Sequence, residues 1–580
     1  MRSGRLAFVA GVAVAAMMGA TSASAQVLKN NVQSQLPPSA ANTIKSYFAN
    51  KNPNPTIQLA GDVSTDTNGA SSLFSPGGTY AFGFEGITQY DLAKVGRPNF
   101  IPPDTMGAVG KTQYLESSNG AFAVFDKTTG AQTSLVSDTA WWATAGQTGA
   151  NGDNRVMYNA EADRWIAVGF GASVADLQIA VSDTSDALGG WKSTKFTGFA
   201  GGTADYPTLA LDKNAVYIGT NNFGVATAAS PTQFKGTTLN VIPLSSLFSN
   251  AAPTTSGLKQ FTTGFNALSS TNVDNGFAIQ GVNSQSNSAN GKAVAASLFF
   301  ADNVVYDINN AGSGAGASTT AAQYTNGSAF NSPLAAHQPS AAIPANRQIV
   351  SALDERISSS VYEEKGKIYY LTTVQQPGDT YNSVRYTVLD AATNAILDEG
   401  SIGGGAYDYF QGSLAVNSFG QLVIAYNRSG LQQADLDGNG LSDGNIAFMA
   451  RTFYTNAAGK LIQSGGELML KQSLVDDYHN GSLFGNPSAG RQRWGDYSAV
   501  SLDPSNNGRF YAIGQFAREY NLPQFGHPGG TGGSRWGTWI AAIDFGGSAA
   551  VPEPMSWAMM ILGFGAVGSL IRRRRATLAA

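Results

Sequence analysis

The sequence contains no cysteine and only three histidines among its 580 residues. Without cysteine, the protein can form neither disulfide bonds nor thiolate metal sites. His337, His479 and His527 lie far apart in the chain and lack the spacing of metal ligands. This scarcity argues against a transition-metal centre and against a Ser-His-Asp triad, and the chain has no G-x-S-x-G motif.

Charged residues are also scarce, at 13% of the chain, and the formal net charge is −4. Six arginines and one glutamate belong to the two ends of the chain, so the part between them carries a net charge of about −9. Phosphate contacts need clustered cations, and we therefore expect no nucleic-acid partner. The 68 glycines, with many Asn, Ser and Thr residues, favour a turn-rich β protein outside the cytoplasm.

The first 25 residues have the three parts of a secretory signal peptide. Arg2 and Arg5 precede an apolar run from residue 6 to residue 18, and Ala23-Ser24-Ala25 forms a cleavage site. The run is too short to span a membrane, so a retained anchor is the weaker alternative. The sequence predicts Sec export and a mature chain that begins at Gln26.

The last thirty residues combine a proline turn, a short apolar run and a basic cluster. The run from residue 557 to residue 571 barely spans a bilayer, and the arginines after it are expected on the cytoplasmic side. These parts, in this order, resemble the PEP-CTERM sorting tail in its PEPxxWA form. The residues that carry the resemblance are Pro552, Glu553, Pro554, Trp557, Arg572, Arg573, Arg574 and Arg575.

The resemblance implies recognition and cleavage near the Pro-Glu-Pro segment by an exosortase, in a Gram-negative bacterium that makes exopolysaccharide. The tail would then hold the protein at the inner membrane only transiently, as a short transmembrane helix. The product would be secreted or attached to the cell surface. An ordinary tail anchor is the alternative.

Between the two ends, one pattern recurs. "DYPTLALDKNAVYIG" from Asp205, "DYFQGSLAVNSFGQLVIAY" from Asp408 and "DYSAVSLDPSNNGRFYAIG" from Asp496 each place an acid before an alternating strand, a turn and an aromatic strand. Asp104 and Asp153 lead similar segments, and another follows residue 354. A spacing of roughly fifty residues predicts an all-β fold, a six- or seven-bladed β-propeller with long loops.

This interpretation divides the chain into segments. We expect a loosely structured leader over residues 26–95, with a short helix near residues 41–50, and a propeller over residues 96–546. Residues 224–344, rich in Ser, Ala, Asn, Thr and Gly, are predicted to form a degenerate blade or a long insertion. The sorting tail covers residues 547–580.

In a propeller, the residue before each inner strand lies at the mouth of the central channel. We therefore predict that the leading acids and the tyrosines beside them converge there: Asp104, Asp153, Asp205, Tyr206, Asp408, Tyr409, Asp496 and Tyr497. Carboxylates this close repel one another unless a cation or hydrogen-bond donors neutralise them. The alternatives are a shared cation or sugar site, and aspartates that each cap their own turn.

The body of the chain also resembles a family of uncharacterised secreted bacterial proteins of propeller type. The segments that carry this likeness include "PPDTMGAVG" from Pro102, "ADRWIAVGF" from Ala162 and "RWGDYSAVSLDP" from Arg493. The resemblance implies a fold and no activity. "TSDALGGW" from Thr184 is similar to one Asp-box of sialidase-like propellers, with Leu188 in place of a glycine.

The segment "DLDGNGLSDGN" has the oxygen-rich pattern of a calcium loop. Asp435, Asp437 and Asn439 stand at alternate positions, a glycine follows, and Asp443 occupies the ninth position. The twelfth position is Ile446, so the bidentate glutamate of an EF-hand is missing. We predict a structural Ca²⁺ site, with a bare Asx-rich turn as the alternative.

These features predict an exported, non-catalytic propeller that binds polysaccharide or protein in the exopolysaccharide matrix. The alternative is a sialidase-like or other glycan hydrolase at the acidic mouth, for which two suitably spaced carboxylates suffice. Arg356, Arg385, Arg491 and Arg493 would be available to bind an anionic sugar. Trp494, Trp536 and Trp539 could serve as stacking platforms or as core residues. A purely structural matrix component is a third possibility.

Overall fold

The computed structural model describes residues 58–59, 77–97, 100–225, 234–248, 252–264, 275–297, 302–339, 349–477, 493–522 and 533–545. The predicted signal peptide, the predicted helix near residues 41–50 and the sorting tail lie outside these residues. Within the described ranges, no helix combines the length and the apolar character that a membrane crossing requires.

The described chain is mostly β, as predicted, and is built from small antiparallel sheets. Three short α-helices, Gln89–Lys94, Asp138–Thr144 and Leu244–Leu247, and the 3₁₀ helix Ala311–Gly316 connect the strands. Gln89–Lys94 begins at a capping box, in which the side chain of Thr88 and that of Asp91 each accept a hydrogen bond from the other residue's backbone N–H. Such short helices serve as connections and form no layer of their own.

The strands form seven consecutive units, called sheets I to VII; five are separate sheets and two are halves of one ten-stranded sheet. Sheet I contains Met106–Val109, Gln113–Ser118, Ala121–Asp126 and Gln132–Ser137. Sheet II contains Arg155–Asn159, Arg164–Phe170, Asp176–Ser182 and Trp191–Thr197. Sheet III contains Gly202–Asp205, Ala210–Leu211, Ala215–Gly224, Phe234–Pro243 and Lys259–Gly264.

Sheet IV contains Phe277–Ser284, Gly291–Ala296, Asp302–Asn309, Ser318–Thr319 and Gln323–Asn326. Sheet V contains Val361–Glu364, Lys367–Gln375, Asn382–Asp390 and Ile396–Ile402, and sheet VI contains Tyr407–Val416, Gln421–Gly430, Ala447–Thr455 and Leu461–Gln472. Sheet VII contains Ala499–Leu502, Arg509–Tyr520, Ser534–Phe545 and Gly78–Thr88. A parallel pairing of Val282 with Val361 joins sheets IV and V. Gln58–Leu59 adds in parallel to the outer strand of sheet V, and Ala336–His337 pairs with Ile349–Val350.

Sheet VII combines one strand from the N-terminal part of the described chain with the three strands at its C-terminal end. Its outermost strand, Gly78–Thr88, comes from the segment that we expected to be a loose leader, and it pairs antiparallel with Ser534–Phe545. Phe82 and Phe84 from this strand pack against the same hydrophobic cluster as Ile540. This apolar contribution explains why the segment is incorporated in the sheet.

The apolar core is divided among the gaps between sheets. The cluster that contains Leu115 and Trp165 joins sheets I and II, and corresponding clusters join each later pair of consecutive sheets. A further cluster contains Tyr114 of sheet I and Tyr511 of sheet VII. Each sheet therefore packs on two neighbours, and the last sheet packs on the first.

Residues 224–344 contribute two of the five strands of sheet III and the whole of sheet IV. Phe234–Pro243 and Lys259–Gly264 complete sheet III, and the segment then supplies all of sheet IV. Sheet IV has an irregular outer edge, because Ser318–Thr319 and Gln323–Asn326 both pair with Asp302–Asn309. The described strands of this low-complexity segment thus form a meander in sheet IV, and the outer strand of that meander is divided in two.

A buried carboxyl group connects sheet I to sheet VII. Glu116 accepts hydrogen bonds from the backbone N–H of Ile87 (2.9 Å) and from the hydroxyl of Thr538 (2.7 Å). Burial raises the pKa of Glu116 to about 7, although these hydrogen bonds favour the ionised form. Gly86 allows this approach, since a Cβ atom there would overlap the carboxylate of Glu116.

Candidate functional site: a buried cluster of aspartates and arginines

A left-handed residue recurs near the start of the first strand in several sheets. Asp104, Asp153, Tyr206 and Gln411 have φ angles of 46°, 52°, 56° and 50°. This conformation costs a non-glycine residue roughly 1 kcal/mol, and aspartate tolerates it better than most residues do. Asp104 and Asp153 adopt it just before the first strands of sheets I and II, Tyr206 adopts it between the first two strands of sheet III, and Gln411 adopts it at the bulge in the first strand of sheet VI.

These turns bring four of the five predicted aspartates together; we call the group the hub. Oδ1 of Asp104 accepts a hydrogen bond from the backbone N–H of Asp496 (2.7 Å), and its Oδ2 accepts one from Asn119 (2.7 Å). Oδ1 of Asn119 in turn accepts the backbone N–H of Asp153 (2.9 Å). Sheets I, II and VII are therefore connected through side chains at the hub.

The electrostatics of the hub follow from burial and from repulsion between neighbouring acids. Burial, followed by the charges of Asp104 and Asp205, raises the pKa of Asp153 well above its usual value. Tyr497 donates a hydrogen bond to Oδ2 of Asp153 (3.0 Å), which acts in the opposite direction. Burial and the neighbouring acids thus shift Asp153 towards its protonated form.

Arginines supply the positive charge at the hub. Arg493 pairs with Asp496, and the charges of Asp104, Asp153 and Asp205 all act on its guanidinium. Arg356 is 1% exposed and binds Asp354 through two hydrogen bonds of 2.6 Å. Its Nη1 atom lies 3.8 Å from Oδ2 of Asp496.

Burial and neighbouring carboxylates act in opposite directions on the pKa of an arginine, and their balance differs between Arg493 and Arg356. Burial lowers the pKa of Arg493, even though the aspartates around it favour the charged form. For Arg356, burial acts in the same direction, but the paired carboxylate of Asp354 keeps the pKa above its ordinary value. The hub is thus an internal ion-pair network between buried aspartates and guanidinium groups of the protein.

Two of the three predicted tyrosines, Tyr206 and Tyr497, lie against arginine side chains. The rings of Tyr206 and Tyr497 are 5.0 Å apart, and the guanidinium of Arg155 lies 3.6 Å from the centroid of the Tyr497 ring. Arg356 lies 4.5 Å from the centroid of the Tyr206 ring. These are cation–π contacts, which gain strength when they are withdrawn from water.

The hub is shielded from solvent. Asp104, Asp153, Asp205 and Asp496 are between 0% and 3% exposed. Trp494 and Trp536 are each 1% exposed and belong to the core, whereas Trp539 is partly exposed at the periphery of sheet VII. Four of the five predicted acids therefore meet, at a place with little direct access for a ligand.

Asp408 and Tyr409 lie in a different environment. Oδ2 of Asp408 accepts hydrogen bonds from the backbone N–H and the ring Nδ1 of His337, both at 2.7 Å, and this contact raises the pKa of His337. Tyr409 packs against Tyr426 in the core between sheets V and VI. Phe410 is the position that corresponds to Asp496. Phe410 lies six residues before Val416, and Asp496 lies six residues before Leu502; Val416 and Leu502 are the last paired residues of their strands.

Some hub residues have no counterpart in the sequence prediction. Asn119 lies in a turn between two strands of sheet I, and Arg155 begins a strand. Arg155 donates a hydrogen bond from Nε to the carbonyl of Pro207 (2.8 Å) and so connects sheets II and III. The sequence did contain a signal for Arg155. An arginine at the start of a buried strand indicates a partner for its guanidinium, since an unpaired guanidinium is costly to bury.

The predicted calcium loop lies at the surface between two strands of sheet VI. One oxygen each from Asp435, Asp437 and Asp443 lie within 4.8 Å of one another, the one such group found in the described part of the chain. Asp435 accepts hydrogen bonds from the backbone N–H groups of Gly438, Asn439 and Gly440, which lower its pKa. The donor set consists of hard oxygen atoms on a preformed turn and fits Ca²⁺.

The C-terminal tail follows the last strand of sheet VII by a few residues. The family model of the PEP-CTERM protein-sorting motif matches residues 550–575. The tail is a PEP-CTERM sorting motif. This confirms the resemblance noted in the sequence, and the motif implies an exported bacterial protein that an exosortase recognises and sorts to the cell surface or the exterior.

Comparison with other proteins adds little to this. No curated protein matches the chain. The extracellular domains 1–2 of Drosophila Semaphorin 1a are similar at 10% identity over 82% of this chain and 91% of that one, with a TM-score of 0.34. An endo-1,4-beta-xylanase from Bacteroides thetaiotaomicron is similar at 11% identity over 55% of this chain and 94% of its own, with a TM-score of 0.26.

Proposed function

We propose that sheets I to VII are the blades of one closed seven-bladed β-propeller. The observation that supports this is the series of contacts between consecutive sheets, which returns from sheet VII to sheet I through Tyr114 and Tyr511 and through the hydrogen bond from Asp496 to Asp104. Pairing of the N-terminal strand Gly78–Thr88 with the last strand of the chain would close the ring.

We further propose that this propeller is a non-catalytic binding module that acts outside the inner membrane of a Gram-negative bacterium. The sorting tail supports the location, and the proposed ligand is polysaccharide or protein of the exopolysaccharide matrix. A glycan hydrolase at the hub would need accessible carboxylates about 5 to 10 Å apart. The 0–3% exposure of the four hub aspartates and their pairing with arginines weigh against it.

Binding and turnover can be measured on the same sample. The mature protein, incubated with exopolysaccharide from the producing strain, should be retained by the polymer without releasing new reducing ends. A variant in an exposed turn, Phe419→Ser, would serve as a control for folding and retention. Release of reducing ends that is lost on substitution Asp496→Asn would refute the non-catalytic role, and absence of retention would refute binding to this polymer.

We propose a structural Ca²⁺ site at Asp435, Asp437, Asn439 and Asp443. Three carboxylates in one preformed turn support it, together with the position of the loop on a protein exported to compartments where weak calcium sites can be filled. Bound calcium would tie residues 431–446 to sheet VI, since Asn439 also donates a hydrogen bond to Gln472 (2.7 Å). The expected result is a melting temperature that rises with Ca²⁺ and falls with EDTA, and an unchanged temperature would refute the site.

A further inference from the structure

The sorting tail leaves the folded body at one defined end of sheet VII. Near the hub, Gln515 donates a hydrogen bond to the carbonyl of Trp494 and pairs with Thr538. Seven residues further on, the strand ends at Phe545, whose N–H binds the carbonyl of Gly508 (2.9 Å). At about 3.4 Å per residue, the exit of the tail lies roughly 24 Å from the level of the hub.

The opposite ends of the sheets can be named from these contacts. The hub end is the end at which Asp104, Asp153, Asp205 and Asp496 lie. The turn end is the end with the short connections between the first and second strands of the sheets; in sheets I, II, VI and VII these are residues 110–112, 160–163, 417–420 and 503–508. Phe545 is bonded to the last of these connections, so the tail leaves from the turn end.

The turns of neighbouring sheets contact one another. Asn417 donates a hydrogen bond to the carbonyl of Asn507 (2.7 Å), which connects the turns of sheets VI and VII. Lys111 in the turn of sheet I forms a salt bridge with Asp163 in the turn of sheet II (2.9 Å). The hydroxyl of Ser505 reaches the carbonyl of Lys111 (3.4 Å). The turn end is therefore continuous across sheets VI, VII, I and II.

The number of residues between Phe545 and the membrane segment limits how the body can be placed. Trp557 starts the apolar run twelve residues after Phe545, and twelve residues span at most about 43 Å. The four arginines after the run are retained on the cytoplasmic side, so the body lies on the outer side. If the hub end faced the bilayer, the twelve residues after Phe545 would first have to run back roughly 24 Å along sheet VII. That distance is more than half of the length of about 43 Å that they can span.

We propose that, as long as the tail is in the inner membrane, the turn end faces the lipid bilayer and the hub end faces away from it. The long connection 431–446, which starts from the hub end, then meets molecules outside the cell membrane first. The Asp435 loop belongs to this outward side. This orientation follows from the tail and sheet VII and does not depend on which ligand the protein binds.

The absence of cysteine makes the orientation measurable with single-cysteine variants of the exported chain that keep its tail. Phe419→Cys and Leu188→Cys place a thiol at the turn end, at side chains that are 56% and 49% exposed. Val225→Cys and Leu436→Cys place it at the hub end, at side chains that are both 72% exposed. Each thiol would carry a fluorescent donor, and the protein would be inserted by its tail into vesicles that contain an acceptor lipid.

Energy transfer should be roughly twofold higher from the two turn-end positions than from the two hub-end positions, because the ends differ by roughly 24 Å in height along the sheet. Insertion of thirty Gly and Ser residues between Phe545 and Pro552 is the matched control and should remove the difference. Equal transfer from the two ends with the natural connection, or higher transfer from the hub end, would overturn the proposal. Two positions at each end keep the result interpretable when one variant does not fold.

Discussion

The hub and the Asp435 loop both gather aspartates, yet they neutralise them in opposite ways. At the hub, carboxylates that are almost fully buried pair with Arg356 and Arg493. In the loop, exposed carboxylates are held by backbone N–H groups and face water. Burial requires a counter-charge within the protein, whereas exposure leaves oxygen atoms available to an ion from solution. Aspartate spacing alone therefore does not distinguish a structural network from a binding site.

The largest effect is expected when the hub loses a guanidinium. Arg356→Met would leave Asp354 buried without its bidentate partner, which should lower the free energy of unfolding by about 3–5 kcal/mol. Chemical denaturation provides the measurement. Arg518→Met is the matched control, because Arg518 forms its salt bridges at 36% exposure and should cost about 1 kcal/mol or less. Equal losses in the two variants would remove the distinction between buried and exposed ion pairs.

Glu116 is a buried acid that is held by neutral hydrogen-bond donors and not by an arginine of the hub. Its effect on stability is therefore expected to depend on pH. Its pKa is raised from 4.5 to about 7, so its stabilising contribution is complete below about pH 4.5 and is lost as the pH rises through about 7. The loss amounts to about 3 kcal/mol at high pH. Glu116→Gln should flatten the dependence of unfolding free energy on pH in this window.

Ser118→Ala is the control for this measurement, because it removes one hydrogen bond of 3.3 Å to Glu116 and keeps the titrating carboxyl group. The slope between pH 4.5 and 7 should therefore persist in that variant. An unchanged slope in Glu116→Gln would show that other groups determine the pH dependence.

A smaller effect is expected for Asp153→Asn. Repulsion and burial already favour the protonated form of Asp153, and asparagine keeps an oxygen that can accept the hydrogen bond of Tyr497. The free energy of unfolding at pH 7 should change by less than about 1 kcal/mol. Thermal unfolding near neutral pH measures it, and a loss as large as that of Arg356→Met would mean that the ionised form is essential to the hub.

The smallest effect on the protein itself is expected for Asp435→Asn. Without calcium, this substitution should leave the melting temperature nearly unchanged, because the side chain is exposed and asparagine keeps an oxygen that can accept backbone hydrogen bonds. With calcium, the variant should lack the rise in melting temperature that we expect for the natural loop. Serine at Leu436, in the same loop, would keep that rise and serves as the control. A calcium response that survives Asp435→Asn would locate the ion elsewhere.

Much of the architecture was accessible from sequence, because strand alternation and turn residues are local properties. The repeated phrases at Asp205 and Asp496 correctly identified chain segments that enter sheets III and VII. The phrase at Asp408 misled, because a bulge between Phe410 and Ser413 shifts the register of that strand. The strand Gly78–Thr88 was missed, since its partner lies more than 440 residues away in sequence.

The sequence by itself determined the sorting signal and the β character of the body, because a sorting motif and a period-two pattern are both written in contiguous residues. The tertiary structure alone decided which acids meet, which arginines neutralise them and how deeply they are buried. Those outcomes depend on contacts between residues that are hundreds of positions apart, and the dielectric environment that sets a pKa exists only after such contacts form.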